Sequence, residues 1–316
     1  MVKVHTRRSV AGGISTRTKV VGLIVVIGLF GPMTLLNRIH NSSITSSQAD
    51  DDDEDSNDDG SSFSQDPLAN ADAQERIAYF KKTAASLHPI TDKVGGETTT
   101  FGQKSDHKYH NMYGQFLLPF AVAKPHFKFL EIGLGCNMDY GPGASVQLWK
   151  RLFPHAELWE AEYEAACIHK AQERKQLDGV HTLVGDQGDI KVLDSWIKES
   201  GGKFDIIVDD GGHKNCQISN SFDRLWPQLN PGGYYFIEDL HVGQTSAYQP
   251  FSTQCDDNLP VSERLAQWQL QLIYSSKTHE IKHQWKDPLP EDMMFVHCQS
   301  EACVLHKRYG DVNDPI

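Results

Sequence analysis

Three side chains in the second half of the chain have the types and spacing to activate a hydroxyl group. Asp210 stands three residues before His213 in FDIIVDDGGHKN (204–215), and Asp239 closes GYYFIED (233–239), twenty-nine residues after Asp210. If each acid ends a strand and the two strands are neighbours, their carboxylates meet at one point. Unpaired carboxylates at close range repel, and a shared divalent cation is the natural compensation. Oxygen donors suit Mg2+ or Mn2+ rather than zinc. A histidine beside that cation can remove the proton of a hydroxyl that the cation has made more acidic.

Such a meeting point needs a sheet to deliver it. From residue 128 onward, short apolar runs alternate with amphipathic stretches. KFLEIG (128–133), AELWEAE (156–162), VHTLVGD (180–186), FDIIVDD (204–210) and GYYFIED (233–239) predict strands, and 143–153, 163–177, 190–200 and 216–229 predict helices. Five strand–helix repeats imply a parallel sheet covered on both faces. After a further helix near 260–275, MMFVHC and CVLHKR predict an antiparallel hairpin. Upstream, helices are expected over 72–88 and over HKYHNMYGQFLLPFAVA (107–123). The expected class is α/β: a doubly wound, mostly parallel, seven-stranded Rossmann-like sheet with an N-terminal helical extension. The domain would run over 126–316, with a helical cap over 74–125.

Ligands of an open α/β sheet bind outside the carboxyl ends of its strands. The first strand ends in LEIGLGCNM, where Gly133 and Gly135 let the backbone approach a ligand. A dinucleotide site would want a third glycine where Met138 stands, and an acid about twenty residues on. Here the next strand's acid lies about thirty residues on. That disfavours a nicotinamide-dependent oxidoreductase and suits S-adenosylmethionine, which has no pyrophosphate to cradle. Glu162, ending strand two, can accept both ribose hydroxyls. Asp186 in GDQGD is placed for the adenine edge with Gln187 beside it, or is a helix N-cap. Glu131 and Asp209 are counted with these cofactor residues. Asp209 and Asp210 face opposite sides of their strand; Asp210 is assigned to the metal.

With LEIG, GDQ, DDGxH and PGGxYxIED in this order, residues 105–240 resemble metal-dependent class I O-methyltransferases. The histidine brings them nearest to the macrolide-sugar, mycinamicin-type enzymes. The resemblance implies a methyltransferase that uses S-adenosylmethionine and Mg2+ (or Mn2+), with metal on Asp210 and Asp239, His213 as base, and a small-molecule hydroxyl as acceptor. The alternative is a methyltransferase-like binding module without catalysis. Leu240 stands where the catechol enzymes place a metal-binding asparagine. A third protein ligand is left open between Glu131 and Glu238. His107, Tyr109, His110 and Tyr113 lie on a helix that in this fold often covers the cofactor, or pack as plain aromatics.

The N-terminal quarter differs in composition. Residues 1–19 carry five Lys or Arg and no acid, and 20–36, VVGLIVVIGLFGPMTLL, is uncharged. Seventeen helical residues span roughly 25 Å, enough for a thin bilayer. The basic flank keeps the N-terminus cytosolic, as in a type II signal anchor of the Golgi or endoplasmic reticulum; a mitochondrial presequence and a cleaved signal are the alternatives. Residues 37–73 are Ser- and Asp-rich, expected as a disordered acidic stem. Eight acids fall within 50–59, and removing them from the net charge of −12 leaves −4, so nothing in the charge suggests a nucleic-acid footprint. Of the six cysteines, none has CxxC spacing, and Cys298 with Cys303 is the nearest couple.

Overall fold

The computed structural model describes residues 68–95, 107–138, 140–245, 259–274 and 285–310. The basic tail, the apolar run 20–36 and most of the acidic stretch lie outside the described residues. Among the described residues no helix is long and apolar enough to cross a membrane.

Seven strands form one sheet: β1 (Lys128–Ile132), β2 (Glu157–Glu162), β3 (His181–Val184), β4 (Phe204–Asp209), β5 (Leu229–Ile237), β6 (Met293–Cys298) and β7 (Cys303–Lys307). Their order is β3-β2-β1-β4-β5-β7-β6. β1 to β5 are parallel, and β7 runs antiparallel between β5 and β6. The order reverses between β1 and β4, so the ligand crevice falls outside their carboxyl ends. This is the expected class. β5 begins four residues before the expected run, because Leu229 already pairs with Phe204 beside a register shift.

Side chains alternate across the sheet with the period of the pleat. Leu130, Ile132, Ile207, Tyr235 and Ile237 join the core on one face, under α6 (Ile190–Ser200), α7 (Asn215–Leu225) and α8 (Val261–Tyr274). Phe129, Ile206, Val208 and Phe236 join the core on the other, with α1 (Ala73–Ala85), α2 (His110–Met112), α3 (Leu118–Ala123) and α4 (Ala144–Leu152). The residues expected as a cap thus contribute α1, α2 and α3 to one layer of the α/β sandwich, beside α4. Between β2 and β3 lies α5 (Ala165–Glu173).

Local chemistry sets the ends of these elements. α1 opens with a capping box, Asp72 and Glu75 each accepting the other's backbone N–H. Asp189 caps α6 and Gly201 ends it in the left-handed conformation. α2 runs into α3 through a π-helical turn, Tyr113–Leu117. There Gly114 lies against α1: a Cβ on it would be 2.5 Å from the Ile77 Cα.

Disulfides join Cys136 to Cys167 and Cys298 to Cys303, the second being the nearest couple in the sequence, whose pairing the sequence left open. The first ties the loop after β1 to α5. Cys216 is disulfide-bonded as well.

Candidate active site

A cavity of about 670 Å3 opens at the carboxyl ends of β1, β2, β3, β4 and β5. Its floor is the turn after β1. Gly133 has φ +111°, and a Cβ there would lie 2.2 Å from the Asp210 carbonyl oxygen. Only glycine lets the ends of β1 and β4 close to this distance. After β4 the chain turns at Gly211, where a Cβ would meet the Gln187 Oε1 at 1.9 Å. Gln187 holds that turn by accepting the Gly212 N–H at 2.7 Å, and its amide donates to Asp209 at 2.8 Å.

The expected cofactor residues divide into two groups. Gly133, Gly135, Glu162, Asp186 and Gln187 line the cavity, with Met138 and Tyr140 on the same wall. Glu162 accepts the N–H groups of Leu134 and Glu164, which aims its carboxylate at the turn after β1. Asp186 accepts from Gly188 N–H and the Gln217 amide. It is not a helix cap, since Asp189 takes that place. Glu131 and Asp209, expected among the cofactor residues, do not line the cavity and are buried beside it. Asp209 is 1% exposed and accepts from Gln187, Ser221 and Tyr235 on the α7 side. Burial raises its pKa, and those three donors oppose the rise. Glu131 is fully buried and accepts from Ser145 at 2.7 Å and Trp149 at 2.8 Å.

Asp210, His213 and Asp239 do converge. Their ligand atoms lie within 4.8 Å of one another, at partly buried positions. All three line the cavity. His213 Nε2 is 3.6 Å from Asp239 Oδ2. His213 (φ +51°) and Asp239 (φ +52°) both hold left-handed backbone conformations. For residues other than glycine this costs of order 1 kcal/mol or more, and such strain gathers at functional sites. The Tyr109 hydroxyl donates to Asp239 Oδ1 at 2.6 Å and accepts the Asp239 N–H at 3.2 Å. Burial and then Asp239 raise the Tyr109 pKa strongly, so it remains a neutral donor. A second group shares Asp239: His107 Nε2 is 3.4 Å from Asp239 Oδ1 and 3.5 Å from Glu301 Oε2. Of the aromatic and histidine residues on the helix before β1, Tyr109 and His107 thus reach the site. Tyr113 donates to Glu238 beneath it.

The residue missed from sequence is Lys93, in a 3-10 turn, Asp92–Val94. Its side chain is 1% exposed. The ammonium lies 2.9 Å from Asp210 Oδ2, 2.8 Å from Glu238 Oε2 and 3.2 Å from Glu131 Oε1. Burial alone would lower its pKa; the three carboxylates outweigh burial and hold it well above the usual value. Nothing in TDKVGG distinguishes this lysine from a surface one. Glu160 pairs with Glu131 in the β1–β2 register and is 1% exposed. Burial, then the charge of Glu131, pushes its carboxyl well above the usual range, so Glu160 keeps its proton.

A seven-stranded sheet of this order, with glycine turns and acids at its carboxyl edge, is the class I methyltransferase fold. Comparison with solved structures agrees. MycE methyltransferase from the mycinamycin pathway, solved with Mg and SAH, superposes with a TM-score of 0.52 at 21% identity, covering 77% of this chain and 56% of that one. No family model matches the sequence. Among curated proteins the chain is similar to O-methyltransferases of Streptomyces and Micromonospora. It is 33% identical over 157 residues to the 8-demethyl-8-alpha-L-rhamnosyl tetracenomycin-C 2'-O-methyltransferase of Streptomyces olivaceus, covering 49% of this chain and 38% of that protein. It is 35% identical over 134 residues to the mycinamicin VI 2''-O-methyltransferase of Micromonospora griseorubida, covering 41% and 30%. The chain thus spans well under half the length of each of these two relatives.

Proposed function

We propose that this chain is an S-adenosylmethionine-dependent O-methyltransferase acting on a hydroxyl of a sugar or sugar-bearing small molecule, with a divalent metal and a histidine base. The observation that carries this is the meeting of Asp210, His213 and Asp239 at the rim of a cavity lined by Gly133, Gly135, Glu162 and Asp186. The sugar acceptor rests on the relatives, one of which is named for methylating a rhamnosyl compound.

When bound, S-adenosylmethionine supplies an electrophilic methyl group, and Mg2+ or Mn2+ on Asp210 and Asp239 supplies positive charge beside the acceptor oxygen. The two carboxylates fit such a cation in donor chemistry and spacing, and the imidazole of His213 stands beside them. Glu162 would accept hydrogen bonds from the ribose hydroxyls of that cofactor, and Asp186 would meet its adenine edge. His213 Nε2 takes the acceptor's proton, and Asp239 Oδ2, 3.6 Å away, stabilises the imidazolium that results. Tyr109 fixes Asp239 so that this oxygen keeps its direction. The chain's contribution is alignment and electrostatic stabilisation in a site partly shielded from water.

We also place the catalytic body on the lumenal side of a type II anchor formed by residues 20–36. The uncharged run behind a basic flank supports this. So do the disulfides Cys136–Cys167 and Cys298–Cys303, which persist in oxidising compartments.

The test is transfer of labelled methyl from S-adenosylmethionine into an extract rich in glycosylated small molecules, with and without EDTA. Labelling that EDTA abolishes and Mg2+ restores is expected. Labelling indifferent to EDTA would remove the metal while keeping the transferase, and no labelling with no cofactor binding would leave a binding module.

A further inference from the structure

We infer that Asp92 is an ammonium-binding residue of the cavity, whose carboxylate receives the α-amino group of the cofactor's amino-acid arm. The inference rests on the cofactor reading proposed above and adds to it a contact from a turn that precedes the sheet.

The sulfur of S-adenosylmethionine carries three substituents, and the cavity offers three stretches of wall. The nucleoside arm would lie toward Glu162 and Asp186. The methyl group has to point at an acceptor oxygen beside Asp210, His213 and Asp239. The stretch left for the amino-acid arm holds Thr91, Asp92, Tyr140, Ala144 and Ser145. That arm ends in an ammonium and a carboxylate. Asp92 is the one carboxylate among these five residues, and the Ser145 hydroxyl is already donated to Glu131.

The backbone holds Asp92 at that wall. Thr91 caps its 3-10 turn by accepting the Lys93 N–H, and the Asp92 carbonyl accepts the Gly95 N–H at 3.0 Å. Asp92 is half-buried. Burial and then the charge of Asp210 raise its pKa, against the charges of Lys93 and His107. The Lys93 ammonium makes its close contacts with Asp210, Glu238 and Glu131. Tyr140, whose pKa is raised by burial and then by Asp92, stays neutral beside it. Among the described residues lining the cavity, six are Asp or Glu, and Lys214 is the single Lys or Arg. A carboxylate drawn out of water beside a second one needs positive charge. An incoming ammonium supplies that charge together with N–H donors, the pairing that makes a strong hydrogen bond.

The test is calorimetric binding of two ligands to the full-length chain at one fixed Mg2+ concentration. One ligand is S-adenosylhomocysteine; the other is its deamino analogue, with hydrogen in place of the α-amino group. Wild type should prefer S-adenosylhomocysteine by at least about tenfold, as one charge-assisted hydrogen bond provides. Asp92→Asn should weaken S-adenosylhomocysteine by about ten- to a hundredfold and the deamino analogue by no more than about threefold, so that the preference closes. Equal loss for both ligands would make Asp92 a structural part of the wall and overturn the inference. A preference that survives in Asp92→Asn would overturn it too. If Asp92→Asn does not fold, Asp92→Ser decides by the same comparison. Wild type that binds both ligands equally would end the ammonium site and keep the cofactor reading. Wild type that binds neither would end both.

Discussion

His213 and Glu160 show how differently two titratable side chains can serve one sheet edge. His213 reaches the cavity from a left-handed backbone position and faces Asp239. Replacing it by alanine is expected to lower methyl transfer by about 10²–10⁴-fold, the usual contribution of a general base. Cofactor affinity by calorimetry should stay within about threefold, because, Asp92 apart, the residues proposed to hold the cofactor follow β1, β2 and β3. Turnover near the wild-type level would remove His213 from the mechanism. Glu160 lies under the site with no exposed surface to speak of. Its folded pKa is raised by burial and by Glu131. The folded state therefore holds a proton that the unfolded state releases. Stability is full below the unfolded carboxylate value and falls as pH rises from there toward the folded pKa. Glu160→Gln should accordingly raise the unfolding midpoint at pH 7 to 8 and leave it almost unchanged near pH 4. Equal shifts at both pH values would show that packing, not the proton, sets the difference.

Among the elements, the helix before β1 does most to complete the site. Its π-turn brings Gly114 onto α1 and lets Tyr113 reach Glu238, while Tyr109 and His107 at its start meet Asp239. Gly114→Val puts a side chain into the Ile77 backbone, and a loss of at least about 1–3 kcal/mol is expected from overpacking alone. The denaturation midpoint measures it; a neutral result would show that α1 can move away. The loop after β1 is held differently, by the Cys136–Cys167 bond across a separation of 31 residues. Chain-entropy reasoning gives this closure roughly 3–4 kcal/mol. Cys167→Ser should lower stability by up to that amount. It should also weaken cofactor binding, since Cys136 lines the cavity; titration with S-adenosylmethionine reads the second effect.

For the whole molecule, the proposed topology puts a disulfide-bonded methyltransferase body on the far side of a membrane from its basic N-terminus. Protease added to sealed microsomes should spare the body and remove only the tail, and the protected band should change mobility on reduction. Digestion of the body in intact vesicles would reverse the orientation. A lumenal site also requires S-adenosylmethionine to be imported, so labelling in intact vesicles should depend on a transporter and in permeabilised ones should not.

The alternation of apolar runs and amphipathic stretches was sufficient to place five parallel strands and the closing hairpin, because strand and helix periodicities are local. Asp210 and Asp239 were legible for the same reason: they follow the ends of neighbouring strands, where parallel order brings residues together, and His213 lies in the turn just after Asp210. That Glu131 and Asp209 stand apart from the cavity wall was not legible, because strand position gives the face a side chain takes, not which donors already wait there. Ser145 and Trp149 claim the one, and Ser221, Gln187 and Tyr235 the other. Lys93 carried no signal at all. Its ammonium meets Asp210 across a separation of 117 residues and Glu238 across 145. Local sequence thus determined the strands and the acids at their ends. Which of those acids face the cavity and which face a buried cation was decided only by tertiary packing, because a buried charge takes its partner from whatever the fold brings within reach.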